Sequence, residues 1–291
     1  MEYTMTILVN GMPITMQTSD KSLGQVLTEL DEKAERAGQV IIAVEHNEKS
    51  VQADELPALS GQPAKAGDKL AVTTQPVRFM RIDAIDIMQG MCDAIKQAGN
   101  TQELHSCTSD IDEFIQRYSG LFSAEENSFI ENLKQAISGQ VIPLPPDFLL
   151  NMERTCSFFK ERRQEAEDPE LAMHNAAKLF MALRDDLSKV AVRLQTGKDA
   201  EAMHTMVLIV ELINKTVRIL PDFISVSDQE LNIDGLNVQD FYESFNTVLR
   251  ELMEAFEHKD SVLIGDLAEY EILPRMGAFF EATLTLNKEE G

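Results

Sequence analysis

Glu201 and His204 stand three residues apart, a spacing that puts a carboxylate and an imidazole on one face of a helix. Glu-x-x-His is also what each of two helices contributes to a carboxylate-bridged di-metal centre. With Glu211 and Glu271 these residues would make a four-ligand set, so a carboxylate-based metalloenzyme is one function that the residue types allow. The set is incomplete by its own rules. A second Glu-x-x-His is required, whereas Glu170 and His174 are four apart, as are Glu254 and His258. Glu201 also falls in the first turn of its expected helix, where the helix dipole favours a carboxylate without any metal. The plainer reading is a solvated helix start, with no metal and no cofactor expected.

The other chemistry-bearing residues are equally isolated. His105 and Cys107, two apart, face different sides of a helix and do not surround one ion. Glu269-Tyr270-Glu271 brackets a phenol with carboxylates that burial could tune for acid–base work, but without a partner the motif reads as helix surface, as do Asp110, Asp112 and Glu113. The sequence contains no Gly-x-Gly-x-x-Gly or Walker pattern and no nucleophile elbow. Cys92, Cys107 and Cys156 are odd in number and include no Cys-x-x-Cys, which suits structural thiols in a reducing cytosol.

The elements that would position such groups begin with bulk composition. The 291 residues carry 49 carboxylates against 26 Lys plus Arg, a net charge of −23, with 44% hydrophobic residues and no tryptophan. The hydrophobic share supports packed cores. The charge excludes a protein that grips nucleic-acid phosphates or an anionic membrane surface. The most apolar run, Met206 to Ile213, is eight residues broken by Glu211, far short of the roughly 20 that a bilayer span needs. Met1-Glu2-Tyr3-Thr4 lacks the basic start of a secretory signal, so a cytoplasmic location is expected.

Residues 1–78 read as a first domain. Thr4 to Asn10 and Met12 to Thr18 alternate as strands around the hairpin pair Asn10-Gly11. Ser19 or Asp20 would cap a helix carrying Leu23, Val26, Leu27 and Leu30, stopped by Gly38. Val40 to Val44 is a fully apolar strand, and Lys69 to Thr74 follows the turn Gly67-Asp68. The order, together with Ile7-x-Val9-Asn10-Gly11, Ala43-Val44-x-x-Asn47 and Gly67-Asp68, resembles the β-grasp fold of the small ubiquitin-like sulfur carriers. Their chemistry uses a free Gly-Gly tail. Here the last strand runs on through Gln75 to Arg78 and the chain ends Glu289-Glu290-Gly291, so the resemblance implies a docking module or a structural cap and no carrier activity.

From Ala84 the periodicity is helical. Helices are predicted over 84–98, 102–121, 124–138, 147–165, 171–196, 200–220, 238–258 and 262–286, with Pro274 expected to kink or split the last. They group as 84–168 and 171–288, possibly two related four-helix bundles. Ala94 to Glu103 aligns with Val192 to Glu201, Asn127-Ser128-Phe129 with Glu243-Ser244-Phe245, and Phe158-Phe159 with Phe279-Phe280. The second group also resembles the helical bundles of flagellin-export chaperones, through the turn Gly197 to Asp199, the apolar helix after it and His258-Lys259-Asp260. That resemblance implies binding of a hydrophobic segment along the helices and carries no residue assignments.

Within helix 200–220, the stripe Met203, Met206, Val207, Val210, Ile213, Val217 and Leu220 would form the core. The second apolar set, Leu208, Ile209, Leu212 and Ile219, would then be either packed by neighbouring helices or offered to a partner. The 14 methionines suit adaptable contact surfaces. The expectation is an α+β chain whose function is non-enzymatic: a cytoplasmic interaction protein or chaperone-like adaptor. Its partner would be a protein that is basic or presents an apolar helix, or a second copy in a homodimer.

Overall fold

The computed structural model describes residues 5–227 and 230–286; the outermost residues of the expected first and third domains, and the chain's two ends discussed above, lie outside the described residues. The architecture is α+β. The chain divides into two compact units, Met1–Arg163 and Gln164–Gly291.

The first unit opens with β1 (Thr6–Val9) and β2 (Met12–Ile14), paired antiparallel so that Ile7 faces Ile14. Asn10 and Gly11 turn the hairpin with φ of 50° and 79°, the left-handed pair that a two-residue turn needs. Helix α1 (Leu23–Arg36) is capped by Ser22, whose hydroxyl accepts from Gln25 N–H while the Gln25 side chain accepts from Ser22 N–H. This reciprocal box displaces the cap from the expected Ser19 or Asp20. Strands β3 (Gln39–His46) and β4 (Lys49–Val51), the short helix α2 (Leu56–Ser60) and β5 (Lys69–Pro76) complete a five-stranded sheet ordered β2-β1-β5-β3-β4, with β1 and β5 parallel. Gly24 is required where α1 meets α2: a Cβ there would sit 2.8 Å from the Ser60 side chain.

The core under this sheet is Ile7, Leu23, Val26, Leu30, Val44, Leu59, Leu70 and Val72. The apolar run Val40 to Val44 is not buried on both faces. A register shift between Ile41 and Ala43 interrupts its pairing with β5 and leaves Ile42 49% exposed.

No linker follows the sheet. Pro76 ends β5 and α3 (Val77–Gln97) begins at once, seven residues before the predicted helix start, with Val77 N–H donating to Gly38 O at 3.0 Å. Helices α4 (Thr101–Tyr118), α5 (Ala124–Ser138) and α6 (Pro146–Glu167) follow. Asn100 caps α4 and a Ser123/Glu126 capping box starts α5. A second core gathers Ile85, Met88, Ile111, Phe114, Ile130 and Phe159. Glu126, 2% exposed, carries its charge against the Arg81 and Arg162 guanidiniums at 2.5 and 3.4 Å, the pairing that a buried carboxylate requires.

The second unit has its own core. The helix predicted over 171–196 is broken into α7 (Pro169–Leu187) and α8 (Val190–Gln195). Helix α9 (Asp199–Val226) runs through Pro221, where the proline and the preceding turn at Val217 are both exposed, so the carbonyl that loses its N–H partner meets water. Asp234-Gly235 then turns a small hairpin, β6 (Asn232–Ile233) and β7 (Leu236–Asn237), whose strands are too short for periodicity to reveal. Helices α10 (Val238–His258), α11 (Ser261–Asp266) and α12 (Leu273–Leu286) finish the unit. Between the last two, Leu267–Ile272 forms a π-helical turn in which Leu273 N–H donates five residues back to Ala268 O. Pro274 explains it: in an unbroken α-helix its ring would press on the Tyr270 carbonyl.

The segments aligned within the sequence fall at the α3–α4 and α8–α9 junctions, on α5 and α10, and on α6 and α12. The two phenylalanine pairs also share a geometry: Phe158 and Phe159 cross at 5.3 Å and 89°, Phe279 and Phe280 at 5.2 Å and 77°.

Candidate functional site

The residues singled out for metal chemistry are not brought together. Among the described residues no group of three or more His, Cys, Asp or Glu could hold a metal ion. Glu201 is exposed and pairs with Arg193 at 3.6 Å and Lys198 at 3.7 Å. His204 and Glu211 lie on the exposed side of α9, and Glu271 is ion-paired to Arg275 one turn on. Asp112 is ion-paired with Lys134, and Glu113 with Arg117 at 3.6 Å. His105 is exposed, whereas Cys107 is buried.

Helix α9 turns a different face inward than its apolar pattern suggests. Ile209, Leu212 and Ile219, read as a partner face, are buried core residues, and Leu208 is half-buried. Met206, Ile213 and Leu220 of the expected core stripe are buried too, but Met203, Val207, Val210 and Val217 are exposed, Val207 at 52%. The reason is that Thr205 and Thr216 belong to the core. Thr216 Oγ1 donates to Leu212 O at 2.7 Å, within its own helix, and Thr205 Oγ1 donates to Glu201 O at 3.1 Å while accepting from Arg193 Nη1 of α8 at 3.0 Å, so both hydroxyls are buried with their hydrogen bonds made. Counting threonines as polar rotates the deduced face away from the real one.

A concave feature of this unit lies elsewhere, between α7 and α12. A groove of about 810 Å³ runs between them. Its floor is Ala177, Gly277 and Ala278 beside the stacked rings of Phe180 and Phe280, 5.2 Å apart. Small side chains leave the space: a Cβ built on Gly277 meets nothing within 4 Å. Met181, Leu273 and Leu284 make the apolar walls, and Arg184, Glu269, Tyr270 and Glu281 the polar rim. Met181 is 59% and Tyr270 65% exposed, an unusual placing for large side chains beside a cleft that no described residue fills. The π turn serves this site, because Glu269 and Tyr270 sit within it and reach the rim from the same side as α12. A smaller groove of about 470 Å³ lies in the first unit between α1 and the β3 side of the sheet, with Leu27, Ile42 and Val51 among its lining.

Sequence reasoning placed Glu269 and Tyr270 on a plain helix surface and did not find Met181, Arg184 or Gly277. The signal for the last was present, since a glycine inside a helical pattern usually marks close packing or open space above it.

The comparisons bear on the same stretch. Residues 172–281 match the family model described as a domain of unknown function, DUF8042, and residues 5–76 match that of the TP0873 N-terminal domain. The first match spans most of both walls of the groove; the second covers the sheet. An uncharacterized protein of Treponema pallidum (strain Nichols) is 32% identical over 90 residues, which are 30% of this chain and 44% of that protein. The chain thus covers less than half the length of this relative. No solved structure matches. No helix among the described residues is long and apolar enough to cross a membrane.

Proposed function

We propose that the chain is a non-enzymatic interaction protein, a cytoplasmic adaptor or chaperone-like binder, and that the α7–α12 groove receives an apolar segment of a protein partner. The observation that carries this is the groove itself: an open apolar trough with small residues beneath and a methionine and a tyrosine exposed at its edge. A helix laid in such a trough buries its apolar face, and a thioether wall adapts to different side chains. The second unit holds 25 acidic against 11 basic residues, Glu269 and Glu281 of the rim among the acids, so partners with basic flanks are favoured. This mode of binding is the one that the likeness to flagellin-export chaperones implies. The parallel pairing of β1 with β5 supports the β-grasp reading of the N-terminal sheet, as a docking or capping element.

A photo-crosslinking amino acid at position 181, in cells expressing the protein, tests the proposal. Discrete protein adducts that disappear when Gly277→Leu fills the trough are expected. Adducts that persist with Gly277→Leu, or that form equally from exposed Lys189, overturn it. A homodimer through α9 is a second reading, favoured by the exposed stripe Met203, Val207, Val210 and Val217. A concentration-dependent mass in light scattering that Val207→Glu abolishes would establish that seam, and a constant monomer mass removes it.

A further inference from the structure

We propose that Cys156 and Cys92 form a hydroperoxide-responsive dithiol, in which Cys156 is oxidised first and Cys92 converts it to a disulfide joining α6 to α3. The placement follows from helix register. Arg163 of α6 grips Asp86 of α3 through two contacts, Nε to Oδ1 at 2.7 Å and Nη2 to Oδ2 at 3.4 Å, which fixes the two helices as neighbours. Counted from that contact, Cys92 lies six residues on along α3 and Cys156 seven back along α6, axial distances of about 9 and 10 Å at 1.5 Å per residue. Both side chains pack into the same core, Cys92 fully buried and Cys156 partly exposed, and the two sulfhydryls interact directly.

The pair is asymmetric. The Cys92 S–H donates to the Cys156 sulfur, and with help from the Lys96 ammonium this holds the Cys156 thiol down to about 7, against the opposing pull of burial and of Asp93. The same hydrogen bond, with burial, pushes Cys92 up. Lys96 and Asp93 both belong to α3 and pair with each other at 3.7 Å. Cys156 is therefore the nucleophile and the more accessible of the two, and Cys92 the resolving thiol.

The chemistry balances with one hydroperoxide. The Cys156 thiolate attacks one peroxide oxygen of hydrogen peroxide, the O–O bond breaks, and the leaving hydroxide takes a proton to become water, leaving a sulfenic acid. The Cys92 sulfur then attacks the Cys156 sulfur. An S–S bond forms, the S–O bond breaks, and the Cys92 proton leaves with the hydroxyl as a second water. Two thiols are oxidised and one peroxide is reduced. Cys107, on α4, is buried, and that burial with the nearby Asp110 carboxylate raises its thiol above the ordinary value, so it is an internal reference.

Reduced full-length protein is exposed to hydrogen peroxide, denatured with N-ethylmaleimide, and mapped by mass spectrometry without reductant. The expected result is a Cys92–Cys156 linked peptide with Cys107 alkylated, reverting to three alkylated thiols after dithiothreitol. Cys92→Ala should stop at a sulfenic acid on Cys156 that dimedone captures, and Cys156→Ala should leave both other thiols unmodified. Three alkylated thiols after peroxide, or oxidation that starts at Cys107, overturns the proposal, and the wild-type map decides it even where a variant fails to fold.

Discussion

Gly277→Ala and Gly265→Ala are the same chemical change in neighbouring helical segments of the second unit, and the structure gives them opposite signs. Both glycines lie in helices, where replacing Gly by Ala gains about 1 kcal/mol of propensity and unfolded-state entropy. At Gly277 the new methyl group points into the open trough and meets nothing within 4 Å, so the gain is kept. At Gly265 it would lie 2.8 Å from Ala191 Cα and 2.9 Å from Ala191 Cβ. That contact is with α8 backbone and cannot be relieved by turning a side chain, so overpacking costs about 2–3 kcal/mol and leaves a net loss of about 1–2 kcal/mol. At about 2–4 °C per kcal/mol for a protein of this size, Gly277→Ala should raise the melting temperature by about 2–4 °C, and Gly265→Ala should lower it by about 2–8 °C. Thermal denaturation followed by circular dichroism measures both. If Gly277→Ala lowers the transition, the groove floor is not open and the assignment of Gly277 to it fails; if Gly265→Ala raises it, the close contact with Ala191 is not the constraint that the distances imply.

Other consequences can be measured on the same protein. Glu126→Gln keeps the side chain that caps α5 but removes the buried carboxylate that the Arg81 and Arg162 guanidiniums share, and should cost about 2–4 kcal/mol in urea denaturation; a loss below 0.5 kcal/mol, on the order of a surface change, would show that the shared carboxylate does not hold the cluster together. Leu212→Ala should cost about 2–5 kcal/mol, whereas Val207→Ser, on the exposed side of α9, should stay within about 0.5 kcal/mol. Equal losses at the two positions would restore the stripe deduced from periodicity. Alkylation of native Cys156 by iodoacetamide should rise through pH of about 7, because the reactive thiolate is the form that the Cys92 hydrogen bond and Lys96 stabilise. A rise only near the ordinary thiol range of about 8.5 would refute that environment.

The sheet was legible because its signals are local. Asn10-Gly11, the alternation of Ile7 and Val9, and Gly38 each act through backbone geometry within a few residues. Helix ends were less so: Ser22 wins over Ser19 as cap through a reciprocal bond with Gln25, and α3 begins at Val77 because β5 delivers the chain straight into it. The inward face of α9 was misread because Thr205 and Thr216 bury hydroxyls whose hydrogen bonds are met, Thr216 within α9 and Thr205 by α9 and Arg193 together. The groove was beyond sequence reasoning for another reason. Met181 and Gly277 are 96 residues apart, and only tertiary packing makes them two sides of one surface.

The π turn at Leu267–Ile272 carries a consequence for chain length. Each residue of an α-helix turns the following side chains by about 100°, so the wider turn sets the azimuth of everything after it. Deleting one residue there would restore an α-helical count and swing Phe279, Phe280 and Thr283, all buried, out of the core together. It would also return Pro274 to a position where its ring collides with the preceding turn. Residues 267–272 thus act as a phase adjuster. Their number, and not only their identity, decides that α12 presents its aromatic pair inward while Gly277 is left beneath an open trough.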